Sequence, residues 1–355
     1  MSKPIRVLVI DDSAYNRRTI IKILNAISGV EVLDYACDGE EGLRKVFDLK
    51  PDLITLDLEM PKTDGFSFLR ILMANCPTPT IVVSSKSGDQ DVFKALELGA
   101  VEFVAKPSAR VSPELLAIEE DLATKVSAIA RTDMKKILQR TGFEDRGGSG
   151  RQKASLPGFP KEVQGRLQVV VIGSSTGGPP ALQTVFGSLP PSLPVAFAIA
   201  QHMPPGFTKA FAERLDRNSP LEIKEAASGD RLVPGRVLIA PGGKNLVLKR
   251  RGEEVFAQVE DPEVGQRNIP SVDVLFRSAA EVFGAAALGV VLTGMGNDGA
   301  RGIEAIKAKG GQTLAESEES SVVFGMPKEA IATGKVDRVL ALPFIGAEIG
   351  RRCTL

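Results

Sequence analysis

"LQVVVIGSSTGG" (167–178) joins an apolar run to a turn of glycines and small hydroxyl residues. A short apolar run bounded by a turn signal predicts a strand buried on both faces, the kind found in a parallel α/β sheet. The turn could serve either of two chemistries. Its backbone N–H groups could cradle a phosphate, or its glycines could let one serine hydroxyl stand off the sheet edge. The phosphate reading lacks its companions, because the stretch has no Gly-Lys-Ser/Thr ending and no G-x-G-x-x-G spacing. Residues 173–177 do spell G-x-S-x-G, with Ser175 at the centre and Ser174 out of register. Glycines on both sides permit the tight, strained turn that such an elbow needs.

A serine hydroxyl is a poor nucleophile until a base takes its proton. The chain has one histidine, His202, in "AIAQHMPPGF" (198–207), directly after the strand-like "VAFAIA" (195–200). Asp298 lies in "LTGMGNDGARG" (292–302), after the strand-like "GVVLT" (289–293). Taken singly, the histidine could be an ordinary satisfied residue and the aspartate a turn or helix cap. Together with Ser175 they follow three strands whose carboxyl ends share one sheet edge, which makes a Ser–His–Asp set. On the triad template, His202 Nε2 takes the Ser175 proton and Asp298 holds the imidazole. The chain order Ser…His…Asp differs from the Ser…Asp…His of α/β-hydrolases, so a different topology is expected.

At 355 residues the chain predicts two domains. Lys+Arg and Asp+Glu balance at 44 each, which argues against polyanion binding and predicts no nucleic-acid partner. Three cysteines (Cys37, Cys76, Cys353) without ligand spacing read as reduced thiols in a cytoplasmic protein. No apolar run nears the ~20 residues of a membrane span, so no membrane insertion is expected, and "MSKPIRVLVIDD" is no signal peptide.

The first half reads "RVLVI" (6–10), "VEVLDYA" (30–36), "LITLDL" (53–58), "TIVVSS" (80–85) and "VEFVA" (101–105) as five strands with room for helices between them. A helix is expected over 112–140, with Ser112 as N-cap and Pro113 at N1. Residues 142–166, rich in Gly, Pro and charge, read as a linker. A second α/β pattern begins at Leu167 and adds the strand-like "RVLIA" (236–240) and "LVLK" (246–249). The expected division is therefore 1–125, a linker with extended helix over 126–166, and 167–352.

Asp11 and Asp12 end the first strand, and Asp57 sits near the end of the third. These ends are neighbours in a parallel sheet, so three carboxylates converge. They repel unless a cation joins them, and an all-oxygen site of this kind suits Mg²⁺. Ser84 and Lys106 fall at the ends of the fourth and fifth strands. An anion formed on Asp57 would meet Mg²⁺, a hydroxyl and an ammonium, which describes a phosphoryl-aspartate site.

Residues 5–125 resemble the receiver domain of two-component response regulators through Asp11, Asp12, Asp57, Ser84, Lys106 and "DLEMPKTDGF" (57–66). The resemblance implies a flavodoxin-like strand order 2-1-3-4-5, Mg²⁺ and a histidine kinase as phosphodonor. Phe103 stands where that family has an aromatic that moves with Ser84. Residues 167–350 resemble the catalytic domain of chemotaxis-type protein-glutamate methylesterases, through "IGSSTGGPPAL" (172–182), "QHMPPGFT" (201–208), "APGGKNL" (240–246), "PSVDVLFRSAAE" (270–281) and "LTGMGNDGARG" (292–302). That resemblance implies Ser175 as nucleophile, His202 as base, Asp298 as its orienter, and Thr176 and Met295 near the oxyanion. It also implies a γ-glutamyl methyl ester on methyl-accepting chemoreceptor helices as substrate, deamidation of receptor glutamines, and no cofactor in the esterase domain. A catalytically dead docking module would not need the complete Ser/His/Asp set. A transcriptional regulator would show a helix-turn-helix or basic helix, which this chain lacks.

Overall fold

Val7–Ile10 of strand β1 (Ile5–Ile10) are completely buried, which is how a strand reads when helices cover both faces of its sheet. The computed structural model describes residues 3–85, 89–106, 113–130, 167–190 and 193–353. The chain divides into two compact units, Met1–Ser149 and Gly150–Leu355.

In the first unit β1 pairs in parallel with β2 (Val30–Ala36) and β3 (Leu53–Leu56), followed by β4 (Thr80–Ser85) and β5 (Glu102–Lys106). The sheet order is β2-β1-β3-β4-β5, the flavodoxin-like arrangement that the resemblance implies. Side-chain caps start the helices on cue: Ser13, Asp38 and Asp64 each accept a backbone N–H of the helix that follows. The Pro113–Ala130 helix occupies part of the expected 112–140 stretch. Ser112, residues 131–140 and the 142–166 linker lie outside the described residues.

The second unit is built on seven parallel strands: β6 (Val169–Ser174), β7 (Ala196–Gln201), β8 (Glu222–Glu225), β9 (Arg236–Ile239), β12 (Ala287–Val291), β13 (Gln312–Glu316) and β14 (Arg338–Leu340). Their order is β14-β13-β12-β6-β7-β9-β8. From β6 the chain goes to β7, on to the edge strand β8 and back to β9 between them, whereas from β12 it builds outward the other way, so the order reverses between β6 and β12. In an open parallel sheet, that switch point opens the crevice where ligands bind. β6, β7 and β12 are buried along their whole length.

"LVLK" (246–249) departs from the α/β expectation. It belongs to an antiparallel hairpin of β10 (Asn245–Arg251) and β11 (Glu254–Glu260), separate from the main sheet. The hairpin has an apolar face of its own to bury. Leu246, Leu248, Val255 and Ala257 join a core with Val272, Leu275 and Phe276 of the Val272–Phe283 helix. The tail stretch 350–353 is the end of the Leu342–Cys353 helix, with Arg352 and Cys353 buried.

Candidate functional site

At the carboxyl edge of the first sheet, ligand oxygens of Asp11, Asp12 and Asp57 lie within 4.8 Å of one another. Among the described residues this is the one such group of three acidic, histidine or cysteine side chains. Lys106 Nζ lies 2.8 Å from Asp11 Oδ2 and 2.6 Å from Asp57 Oδ2. One ammonium thus serves two buried carboxylates, and Asp12 adds a third negative charge from an exposed position. Burial pushes the Asp57 carboxyl up to about 6, against the pull of Lys106. Burial alone would lower the Lys106 ammonium, but Asp11 and Asp57 outweigh it and hold it above its usual range. Oxygen-only donors with an excess of negative charge suit a hard divalent cation such as Mg²⁺.

Gly65 explains part of the motif after Asp57. A Cβ there would stand 2.6 Å from the Asp57 carbonyl oxygen, so only glycine lets the chain turn back this closely. Ser84 is buried on β4 beside β5. Phe103 is buried too, edge-on to Phe93 at 6.2 Å between centroids, with Lys125 Nζ 5.1 Å from its ring.

In the second unit, Ser175 is the first residue after β6 and His202 the first after β7. β6 and β7 pair Ser174 with Gln201, and His202 N–H donates to Ser174 O at 3.0 Å, so the two residues leave adjacent strand ends side by side. Ser174 is the inward serine, fully buried, and its hydroxyl donates to Gln201 Oε1 at 2.6 Å. Ser175 is partly exposed. Gly177 then adopts φ +76° and caps the Gly178–Gly187 helix, where a side chain would strike Val322. The elbow therefore opens into a helix N-terminus, with its partial positive charge.

Asp298 reaches the same edge from the loop after β12. Ser175 N–H donates to Thr293 O at 3.0 Å, and a Cβ on Gly294 would stand 2.8 Å from Ser175 Cβ, so this loop lies directly against the elbow. His202 Nε2 and Asp298 Oδ2 are 2.8 Å apart. This corrects the expectation that Nε2 serves the serine. The distal ring nitrogen spans the gap from β7 to the β12 loop, so Nδ1 is the ring nitrogen that Asp298 does not engage.

Asp298 is only 4% exposed, yet it is surrounded by donors. Oδ1 accepts from Ser271 Oγ at 3.1 Å and from Asp273 N–H at 2.8 Å. Oδ2 accepts from Val272 N–H at 2.8 Å as well as from His202. Burial would raise its pKa, but the His202 bond and the two backbone N–H groups outweigh burial and lower it. Those N–H groups open the Val272–Phe283 helix, so Asp298 sits on its positive end. Asp273 returns the arrangement, accepting Gly299 N–H at 2.9 Å and Gly302 N–H at 2.8 Å as the Ala300–Ala308 helix starts. The motif "PSVDVLF" contains these partners, but their pairing with a residue 25–27 positions away has no local signal.

Thr176 is buried, and its carbonyl accepts from Thr293 Oγ1 at 2.9 Å. Met295 is half-buried beside Gly325. Among the described residues, nothing accepts a hydrogen bond from the N–H of Thr176 or of Met295. No helix among the described residues is long and apolar enough to cross a membrane.

Comparison with known proteins fits both halves. The family model described as CheB methylesterase matches residues 170–349, and that of the response regulator receiver domain matches 7–117. A Geobacter sulfurreducens protein named protein-glutamate methylesterase/protein-glutamine glutaminase 3 is 55% identical, over 99% of this chain and 98% of its own. A Myxococcus xanthus protein named protein-glutamate methylesterase/protein-glutamine glutaminase 1 is 50% identical, over 98% of each chain. The crystal structure of the Thermotoga maritima CheB methylesterase catalytic domain is 43% identical with a TM-score of 0.51, covering 52% of this chain and 98% of that one.

Proposed function

The chain belongs to the CheB methylesterase family, with a receiver domain ahead of the catalytic one, and from that premise we propose that Ser175, His202 and Asp298 are its catalytic triad. The enzyme is a protein-glutamate methylesterase and protein-glutamine glutaminase, and its receiver puts it under phosphorylation control. The proposed layout is a receiver over 1–125, a connector over 126–166 and the catalytic domain over 167–352.

The observation that carries the reading is the 2.8 Å His202–Asp298 bond beside an elbow serine at the switch point. Ser175 Oγ attacks the γ-carbonyl of the glutamyl ester while its proton passes to His202 Nδ1. Asp298 steadies the imidazolium through Nε2–H. The N–H groups of Thr176 and Met295 receive the oxyanion, each such donor typically worth ~3 kcal/mol. The tetrahedral intermediate collapses, and Nδ1–H protonates the departing methoxide, which leaves as methanol. Water then gives its proton to Nδ1, attacks the acyl-enzyme and releases a glutamate side chain, and Ser175 recovers its proton. With a glutamine, the same steps release ammonia.

Asp57 is the phospho-acceptor, and Asp11, Asp12 and Asp57 would hold Mg²⁺. The cation supplies charge neutralisation for the incoming phosphoryl oxygens. Lys106 and Ser84 meet the phosphate, and Phe103 follows Ser84. The substrate is the cytoplasmic helices of methyl-accepting chemoreceptors, the phosphodonor is a chemotaxis histidine kinase, and the enzyme works in the cytoplasm. The test is methanol release from methyl-labelled receptor with and without a small phosphodonor. The donor should raise the rate, Asp57→Asn should abolish that response, and a fragment from Leu167 should run without a donor. A donor-treated enzyme that releases no methanol would contradict the reading.

A further inference from the structure

We infer that Gln201 is a positioning residue that ties the peptide of the nucleophile to the peptide of the base; this rests on the reading of Ser175 and His202 as that pair. Gln201 is the last residue of β7 and is buried. Its amide has one acceptor and two donors, and all three are used. Oε1 accepts from Ser174 Oγ at 2.6 Å, and Nε2 donates to Ser175 O and to His202 O, each at 3.0 Å.

The placement explains the use. Backbone pairing between the two strands ends with His202 N–H on Ser174 O. Beyond that point no ladder fixes the distance between the two strand ends, and both reacting side chains begin there. The Gln201 amide continues the cross-link by one step, drawing the two carbonyls to a single nitrogen. Ser174 sets the direction. Its hydroxyl, facing Oε1, turns the NH₂ toward the carbonyls, which gives the inward serine a purpose distinct from that of Ser175. Gly178 is part of the device, since a Cβ there would stand 2.0 Å from Oε1. The second glycine of "TGG" is thus the space into which the amide fits.

A displaced nucleophile costs turnover more than binding, and an error of ~1 Å can cost ~10²-fold. In the full-length enzyme activated by a phosphodonor, Gln201→Met should lower kcat ~10²-fold and leave KM within about twofold. Gln201→Glu keeps the shape and the Ser174 bond but points an oxygen at two carbonyls, so its loss should be at least as large. Ser174→Ala removes only the orienting bond and should lose about fivefold or less. Gly178→Ala, with Gln201 intact, should reproduce Gln201→Met, and the double variant should be no worse than either single. That pair keeps the test open if Gln201→Met fails to fold. A merely structural glutamine would lower the melting temperature while leaving kcat in place. Gln201→Met, Gln201→Glu and Gly178→Ala all within threefold of the parent kcat, with Ser175→Ala inactive, would overturn the inference. Activity surviving in Ser175→Ala would instead overturn the reading beneath it, and this inference with it.

Discussion

Asp57 and Asp298 are two carboxylates of nearly equal burial, each at the carboxyl edge of a parallel sheet, and they differ in opposite directions from an ordinary aspartate. Asp57 is pushed up to about 6 because burial meets a lysine shared with Asp11. Asp298 is lowered because the His202 imidazole and two backbone N–H groups point at its two oxygens, which also accept from a serine hydroxyl. Burial sets the cost of a charge, and the number of donors decides whether that cost is met. Asp298 is a fixed charge that needs nothing further. The buried receiver carboxylates Asp11 and Asp57 share one ammonium, that of Lys106, which suits the proposed use of Asp57 with a cation and a phosphoryl group.

The comparison can be broken first at the nucleophile end. Ser175→Ala and His202→Ala should each lower kcat for methanol release ~10⁶-fold, because the proposed triad would work as a unit. Asp298→Asn should fall ~10⁴-fold, somewhat less, since it orients the base without making bonds. Every neighbour of Asp298 is a donor, so whichever way the new amide turns, its NH₂ faces an N–H or O–H group.

Glu348 extends the comparison to a third buried carboxylate. Arg338, Arg351 and Arg352 stand 2.8–3.1 Å from its oxygens. Burial alone would raise its pKa, but Arg351 and Arg352 bring it down to about 2, from an unperturbed 4.5. The folded pKa lies below the unfolded one, so the associated stability is present above pH ~4.5 and is lost as pH falls toward ~2. Glu348→Gln should flatten the acid limb of a melting-temperature-against-pH curve for the Leu167 fragment. An unchanged limb would show that donor count does not set carboxylate charge here.

The smallest expected effect is the most selective. Millimolar Mg²⁺ should raise the melting transition of the receiver unit by several degrees, as saturating ligands do, and leave the catalytic unit where it was. Asp12→Asn should remove most of that rise, as read by calorimetry of the full chain. A rise confined to the catalytic unit would reverse the comparison.

Much of this was legible in the sequence because apolar runs that end in Gly, Ser, His or Asp mark strands whose carboxyl ends carry chemistry. β1, β6, β7 and β12 were visible for that reason. β8 ("EIKE") and β14 ("RVL") were not, since edge strands are only partly buried and their polar residues hide the run. β11 and the antiparallel pairing of β10 were missed because the hairpin packs against a helix rather than joining the main sheet. The strand ends that carry Ser175, His202 and Asp298 could be read from their motifs. Ser271, Asp273 and Gln201 could not, because their roles depend on partners reached only after folding. The ring nitrogen that faces Asp298 is likewise a matter of geometry across two loops.

The most direct test of the central claim is to treat the full-length protein with a fluorophosphonate ester and map the adduct by tandem mass spectrometry. A single phosphonyl group on Ser175, absent from His202→Ala, is the predicted result. An adduct on Ser174, or elsewhere with Ser175 unmodified, would contradict the account.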